Sequence, residues 1–219
     1  MSASKNPRSA ALRSKPKMLI YINSAIGLAA SLDLEVIRGT QFKSFCPVFQ
    51  GEIDQVTAKN WLNIMETPGL IFYLHPYSNN LLKRTIKSPK VYFYDSGLVA
   101  YLARWNSVET LMNGAQDGAI LENYVISEIK KGYHNIGREP YLNYYRDKDG
   151  KEIDVIWEAN GTLYPLEIKK TSNPGVHRVN VFSTLKKSNK ILGQGGIVCL
   201  KNDFLPLDKN NSIIPIRCI

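Results

Sequence analysis

A two-residue turn between two apolar runs constrains the fold of this chain more than any other feature. Asn160-Gly161 separates residues 152–157 from residues 162–169, and both runs mix β-branched or aromatic residues with single charges. Asn-Gly favours the tightest hairpin turns because both central positions need a positive φ. The segment therefore predicts two directly joined antiparallel strands that carry ionisable side chains.

The alternation of side chains along a strand indicates which of these charges meet. Successive side chains point to opposite faces, so Asp154 and Ile156 are predicted to share a face, opposite Ile153 and Val155. On the partner strand, Glu167 is placed where its carboxylate can reach that of Asp154. We therefore expect two carboxylates to lie together across the hairpin.

Two carboxylates at the end of a hairpin suit Mg²⁺ or Mn²⁺, which take oxygen ligands and keep several waters. The backbone carbonyl of Ile168, which lies between Glu167 and Lys169, is a candidate third ligand. A cation there would polarise a phosphate and acidify a water, and Lys169 would offset negative charge in the transition state. The plainer alternative is a surface hairpin of alternating charge, because Glu-x-Lys is common in strands.

A fourth candidate, Glu122, falls on a helix predicted over residues 119–131. It shares a helix face with Val125, Ile126 and Ile129, at spacings of three, four and seven. A carboxylate on an apolar face costs free energy unless it is paired or bound to metal, so Glu122 is a candidate catalytic residue. The alternative is a capping or salt-bridging glutamate, since acids are favoured in the first turn of a helix.

The remaining periodicity predicts an α/β arrangement with a mixed sheet. A linker is expected over residues 106–118, and further helices are predicted over residues 55–66, 98–104 and 176–187. The other predicted strands cover residues 70–74, 91–94, 141–146, 195–200 and 212–217.

Helix, strand, basic turn and strand is also the element order of a winged helix-turn-helix. No acidic residue occurs between Thr67 and Tyr94, a segment with four basic side chains: Lys83, Arg84, Lys87 and Lys90. A basic turn of this kind can lie along a phosphate backbone, so these four residues are candidate nucleic-acid contacts. Two alternatives stay open, a solvated hairpin packed on its own domain and a protein-binding winged helix.

Composition narrows the partners and the compartment. The chain of 219 residues has a formal net charge of +9, which favours anionic partners such as DNA. Its three widely spaced cysteines form no disulfide framework and fit a cytoplasmic protein. The apolar stretch after the basic residues 1–17 contains Asn23 and is too short to span a membrane, so no membrane contact is expected. No small-molecule cofactor is expected, because no Gly-rich dinucleotide loop occurs.

With these segments in view, the chain resembles the C-terminal region of a large family of prokaryotic AAA-type ATPases. That region is a domain of unknown function, described as a winged helix followed by a PD-(D/E)XK restriction-endonuclease-like fold. The resemblance predicts a partial winged helix-turn-helix over residues 46–105 and a mixed sheet with flanking helices over residues 106–219, after a basic, poorly ordered segment 1–45. It rests on an ordered set of segments, residues 55–65, 69–71, 76–80, 83–90, 92–98, 118–123, 144–147, 152–155 and 166–170.

The resemblance also implies roles. Asp154 and Glu167 would bind the metal, Lys169 would be catalytic and Glu122 would be an accessory acid. No G-x-x-x-x-G-K-[ST] loop occurs, so the chain is expected to be a truncated relative without ATPase activity. The first hypothesis is a Mg²⁺-dependent endonuclease that hydrolyses DNA phosphodiesters. The alternatives are a non-catalytic module that binds nucleic acid or a partner ATPase, and a remnant without activity.

Overall fold

The computed structural model describes residues 55–77, 89–102, 105, 107–114, 117–147 and 149–219. The predicted basic segment 1–45 lies outside these residues, and so do three predicted nucleic-acid contacts, Lys83, Arg84 and Lys87. Within the described ranges, no helix is long and apolar enough to cross a bilayer.

The described residues form four α-helices, two 3₁₀-helical segments and nine strands. The α-helices are α1 (Gln55–Glu66), α2 (Ser96–Leu102), α3 (Val108–Asn113) and α4 (Asp117–Asn135). Two further segments are 3₁₀-helical, Val176–Lys187 and Ile216–Cys218. The strands are β1 (Ile71–Pro76), β2 (Lys90–Phe93), β3 (Tyr141–Arg146), β4 (Glu152–Ala159), β5 (Thr162–Lys169), β6 (Ile191–Leu192), β7 (Gly195–Cys199), β8 (Leu205–Pro206) and β9 (Asn211–Pro215).

The nine strands of the described residues form one mixed sheet, which agrees with the predicted α/β class. Their order is β2-β1-β3-β4-β5-β7-β9-β8, and β6 pairs with β5. Strands β3, β4 and β5 run antiparallel, whereas β5, β7 and β9 are parallel neighbours. Parallel neighbours need a crossover between them, and the connection from β5 to β7 contains the 3₁₀ segment Val176–Lys187.

That 3₁₀ segment covers one face of the sheet. Val179, Phe182 and Leu185 are its buried residues, and their spacing of three matches the three residues per turn of a 3₁₀ helix. They pack in one core cluster with residues of the central strands, including Ile197 of β7. The helix predicted over residues 176–187 is confirmed in extent, and the structure shows its geometry to be 3₁₀.

Helix α4 covers the opposite face. Its fully buried Val125 and Ile126 pack in a second cluster with Val155 of β4, Ile168 of β5 and Tyr144 of β3. The face predicted to be apolar from the spacing around Glu122 is therefore the face that packs on the sheet. The sheet lies between two helical layers, and the ends of its central strands carry the candidate site.

Helix α3 corrects one prediction. The sequence predicts a linker over residues 106–118, but α3 occupies the middle of that range. Ser107 caps it, because its hydroxyl accepts a hydrogen bond of 3.2 Å from the backbone N–H of Thr110. A short helix with a Ser at the N-cap leaves little periodicity in the sequence, which is why the pattern of apolar residues missed it.

A bulge in β4 corrects a second prediction. The ladder between β3 and β4 shifts register, and the extra residue falls on β4 between Ile153 and Ile156. Such a bulge breaks the alternation of side chains, so Ile153 and Ile156 pack in the same core cluster. Val155 packs in the opposite cluster, against α4. The predicted pairing of Asp154 with Ile156 on one face, opposite Ile153, is therefore wrong.

The hairpin of β1 and β2 is continuous with the central sheet. Strand β1 pairs parallel with β3, where His75 is the register partner of Asn143. On α4, the buried Asn123 binds the backbone of β2: its side chain accepts from Phe93 N at 2.7 Å and donates to Phe93 O at 3.1 Å. Hydrogen bonds thus join the β1–β2 hairpin both to β3 and to α4. The domain boundary near residues 105–106 stays a prediction.

Candidate functional site

The hairpin of β4 and β5 brings three predicted site residues together. The ladder between β4 and β5 ends at the pair of Val155 and Leu166, and Asp154 and Glu167 are the next residue of each strand beyond that pair. The Lys169 Nζ atom lies 2.7 Å from Glu167 Oε1 and 3.3 Å from Asp154 Oδ2. The backbone N–H of Ile168 donates to Asp154 Oδ2 at 2.8 Å. We call Asp154, Glu167 and Lys169 the hairpin cluster.

Burial and neighbouring charges shift the pKa of each member of the hairpin cluster. Burial raises the pKa of Asp154 to about 7, and the carboxylates of Glu122 and Glu167 act in the same direction. Burial also raises the pKa of Glu167, although Lys169 opposes the change. Burial alone would lower the pKa of Lys169, but the two carboxylates beside it raise that pKa above the ordinary lysine value. Each charge therefore depends on its neighbours.

One carboxylate oxygen of the hairpin cluster has no hydrogen-bond partner among the described residues. Glu167 Oε2 is buried, and no hydrogen-bond donor among the described residues reaches it. A buried carboxylate oxygen without a partner costs free energy, which a bound cation would offset. No three His, Cys, Asp or Glu side chains of the described residues form a metal-binding group. A cation here would use two carboxylates, a backbone carbonyl and water, which is a usual environment for Mg²⁺.

A second group of charges adjoins the first. The Lys90 Nζ atom lies 3.1 Å from Glu122 Oε1 and 2.5 Å from Glu152 Oε1. The hydroxyl of Tyr92 donates to Glu122 Oε1 at 2.5 Å, and Arg146 Nε lies 3.6 Å from Glu152 Oε2. We call Lys90, Glu122, Glu152 and Tyr92 the lysine-90 cluster. It contributes to the raised pKa of Asp154 through Glu122, so the two clusters act on each other.

The predicted site residues are distributed as follows. Glu122, Asp154, Glu167 and Lys169 lie in the two adjoining clusters, and their chemical roles stay predictions. Glu122 also fits the alternative interpretation as a salt-bridging glutamate, because it forms a salt bridge with Lys90. Lys90, predicted to contact nucleic acid, has two carboxylates as its neighbours and a side chain only 12% exposed.

Two site residues were missed from the sequence, Glu152 and Tyr92. The sequence offered a signal for each in its spacing to a candidate residue. Tyr92 lies two positions after Lys90 and therefore on the same strand face. Glu152 lies two positions before Asp154, at the start of β4. Nothing in the sequence shows that β2 lies beside α4 and close to β4, so the partners of these side chains could not be inferred.

Two known families match separate stretches of this chain. Residues 117–219 match the domain of unknown function DUF4143, which is typically associated with C-terminal regions of AAA ATPases. Residues 38–109 match a second domain of unknown function, DUF8612. Lys90 and Tyr92 fall in the second match, and the carboxylates around them fall in the first. The combined clusters therefore draw side chains from both matched regions.

Two curated proteins are similar to this chain over 127 residues. An uncharacterized protein of Mycobacterium bovis is 30% identical over that stretch, which covers 58% of this chain and 28% of the relative. An uncharacterized protein of Mycobacterium tuberculosis matches with the same identity and coverage. The chain thus spans 28% of the length of the curated relatives it matches. No solved structure matches the chain.

Proposed function

We propose that this chain is a metal-dependent nuclease that hydrolyses DNA phosphodiester bonds. In this proposal residues 106–219 form a PD-(D/E)XK-like domain, and residues 46–105 form a winged-helix-like module. The observation that carries the proposal is the hairpin cluster, in which one ammonium serves two buried carboxylates and one carboxylate oxygen has no partner. Purely structural ion pairs seldom leave such an oxygen unsatisfied, since its burial is unfavourable.

The donor set fits the predicted cation. Asp154, Glu167 and the carbonyl oxygen of Ile168 would hold Mg²⁺ or Mn²⁺, because hard cations prefer oxygen ligands. When bound, the cation polarises a phosphate oxygen and acidifies a water. Its charge would also offset the repulsion that helps to raise the pKa of Asp154.

The remaining charged groups have defined tasks in this proposal. Lys169 carries a positive charge beside both metal-binding carboxylates, where it stabilises negative charge that develops on the phosphate. Tyr92 and Lys90 hold Glu122 Oε1, so that this accessory acid keeps one orientation. Asp154 lies in the bulged stretch of β4, and the backbone N–H of Ile168 on β5 donates to its carboxylate and so fixes it.

DNA is the proposed substrate, and an ATPase is a proposed partner. The net charge of +9 supports a polyanionic substrate. The match of residues 117–219 to a domain associated with AAA ATPases supports a partner of that class.

Cleavage of a supercoiled plasmid by the purified chain tests the proposal. We expect nicked or linear DNA with Mg²⁺ or Mn²⁺ and none with EDTA. Replacing Lys169 by Met keeps a side chain of similar length but removes its charge, so we expect the cleavage rate to fall at least about 10²-fold. Lys187→Met is the matched control, because this exposed lysine lies on the 3₁₀ segment away from the cluster.

Two outcomes would overturn the nuclease proposal. The first is the absence of cleavage with either metal by the folded wild-type chain. The second is equal cleavage by wild type and Lys169→Met. A gel-shift assay run alongside separates the alternatives, because DNA binding without cleavage would favour the non-catalytic module.

A further inference from the structure

Lys90 occupies an unusual place for a lysine. It opens strand β2, and its ammonium lies between carboxylates of two other elements, Glu122 on α4 and Glu152 on β4. Its Nζ atom also lies 5.1 Å from the ring centroid of Tyr144, a fully buried residue. Lysine is rarely buried unless it is paired, so an ammonium held in this way occupies a built site for a cation.

The two clusters repeat one arrangement. In each, a single ammonium lies within salt-bridge distance of two carboxylates, Lys169 in the hairpin cluster and Lys90 in the lysine-90 cluster. Four carboxyl groups thus face two ammonium groups, and when all four are ionised the combined site keeps a formal negative charge even with Arg146 beside Glu152 included. Such a surplus favours further cations, most strongly where a carboxylate oxygen lacks a partner.

The two clusters differ in how fully their polar atoms are hydrogen-bonded. In the lysine-90 cluster, the Tyr92 hydroxyl adds a hydrogen bond to Glu122 Oε1, and the Lys90 side chain is 12% exposed. In the hairpin cluster, Glu167 Oε2 is unsatisfied, and the Lys169 side chain is 31% exposed. Burial alone would lower the pKa of Lys90, yet its neighbours Tyr92, Glu122 and Glu152 hold that pKa well above the ordinary lysine value.

We propose that Lys90 is a built-in cation that fills the position a second divalent metal ion would take between Glu122 and Glu152. The native site then takes one divalent cation, at Asp154 and Glu167, because the Lys90 ammonium already occupies the cation position between Glu122 and Glu152. The single-metal part of this statement rests on the proposed function. The part that concerns Lys90 stands on its own contacts and can be tested separately.

Counting bound Mn²⁺ on the full chain by isothermal titration calorimetry and equilibrium dialysis tests the proposal. Replacing Lys90 by Met removes the ammonium while keeping a similar side-chain length, so Glu122 and Glu152 can accept a divalent cation. We expect Lys90→Met to bind one more Mn²⁺ per chain than wild type. Lys90→Arg keeps a fixed cation and is expected to show the wild-type count.

A second variant identifies where the added ion binds. Lys90→Met combined with Glu152→Gln removes one of the two carboxylates, and we expect the additional Mn²⁺ to be lost. If Lys90→Met alone fails to fold without metal, circular dichroism replaces the count as the readout. Folding on addition of Mn²⁺, absent in the double variant, would then support the proposal. Failure to fold at any Mn²⁺ concentration would count against it.

The possible failures are distinguishable. An unchanged Mn²⁺ count in Lys90→Met overturns the role of Lys90, whatever wild type binds. A wild-type chain that binds no Mn²⁺ contradicts the metal site at Asp154 and Glu167, and therefore the proposed function. In that case a single Mn²⁺ gained by Lys90→Met still supports Lys90 as the occupant of a cation position.

Discussion

At the residue scale, the site is governed by carboxylates that the protein interior disfavours. Asp154 is buried beside two other carboxylates, and its charge is tolerated because Lys169 and Lys90 lie close by. The sequence identified four of these five residues as site candidates, Glu122, Asp154, Glu167 and Lys169. It assigned Lys90 to a different surface, because only the packing of β2 beside α4 reveals its neighbours.

The raised pKa of Asp154 predicts a dependence of stability on pH. The ordinary aspartate value is 3.8 and the value in the fold is about 7, so the folded state holds this proton more tightly than the unfolded state. The contribution of Asp154 to the free energy of unfolding is therefore fully present below the ordinary value, and it is lost as pH rises toward 7. A difference of one in pKa corresponds to about 1.4 kcal/mol, so we expect a loss on the order of 1–4 kcal/mol.

Urea denaturation at pH values from 4 to 8 in EDTA measures this dependence. We expect the free energy of unfolding of Asp154→Asn to vary less over that range than the wild-type value, because the titrating group is gone. Asp203→Asn changes an exposed aspartate near β8 and serves as the control, with a wild-type profile expected. Identical profiles for wild type and Asp154→Asn would contradict the assignment.

At the element scale, the β4–β5 hairpin is the part of the fold that the sequence predicted best. Strand β5 has the predicted bounds, and both turn residues have positive φ, 51° at Asn160 and 74° at Gly161. Local chemistry suffices here because the turn and both strands are contiguous in sequence. The bulge near Asp154 was not predicted, since it depends on how β4 pairs with β3.

Two glycines provide a matched test of the hairpin turn. A methyl group added at Gly161 or at Gly132 of α4 would meet no other atom within 4 Å, so only backbone conformation distinguishes the two sites. Gly161→Ala is expected to cost about 1–2 kcal/mol, because the left-handed region disfavours a Cβ. Gly132→Ala is expected to stabilise the chain by about 1 kcal/mol, because alanine is the better helix former.

Chemical denaturation of both variants beside wild type measures these differences. Opposite signs at the two positions are the expected result. Destabilisation of equal size at both positions would show that the positive φ at Gly161 does not determine the cost of its replacement.

At the scale of the whole molecule, the described structure is organised by one sheet that both matched regions build. Phe72 and Tyr92 of the β1–β2 hairpin pack in the same core cluster as Val125 of α4 and Val198 of β7. The lysine-90 cluster spans the same junction. Because the core cluster and the lysine-90 cluster both span this junction, we expect the β1–β2 hairpin and the rest of the sheet to unfold together.

Asn123→Ala tests this coupling. The change leaves the N–H and C=O of Phe93 without their buried side-chain partner, which we expect to cost about 1–3 kcal/mol. Hydrogen exchange should then lose protection alike in β2 and in β7 if the two unfold as one unit. Asn180→Ala, on the exposed side of the 3₁₀ segment, is the control and should leave protection unchanged. Loss of protection confined to β1 and β2 would instead favour two separately unfolding modules.

The sequence by itself determined the local features of this protein. It predicted the hairpin turn, the apolar face of α4 and the pairing of Asp154, Glu167 and Lys169, because each depends on residues close together along the chain. The tertiary structure decided what lies beside them. The strand order places β2 next to α4, turns Lys90 into the partner of Glu122 and Glu152, and inserts a bulge at Asp154. Those outcomes depend on contacts between distant segments, where burial and charge, not local periodicity, set the lowest free energy.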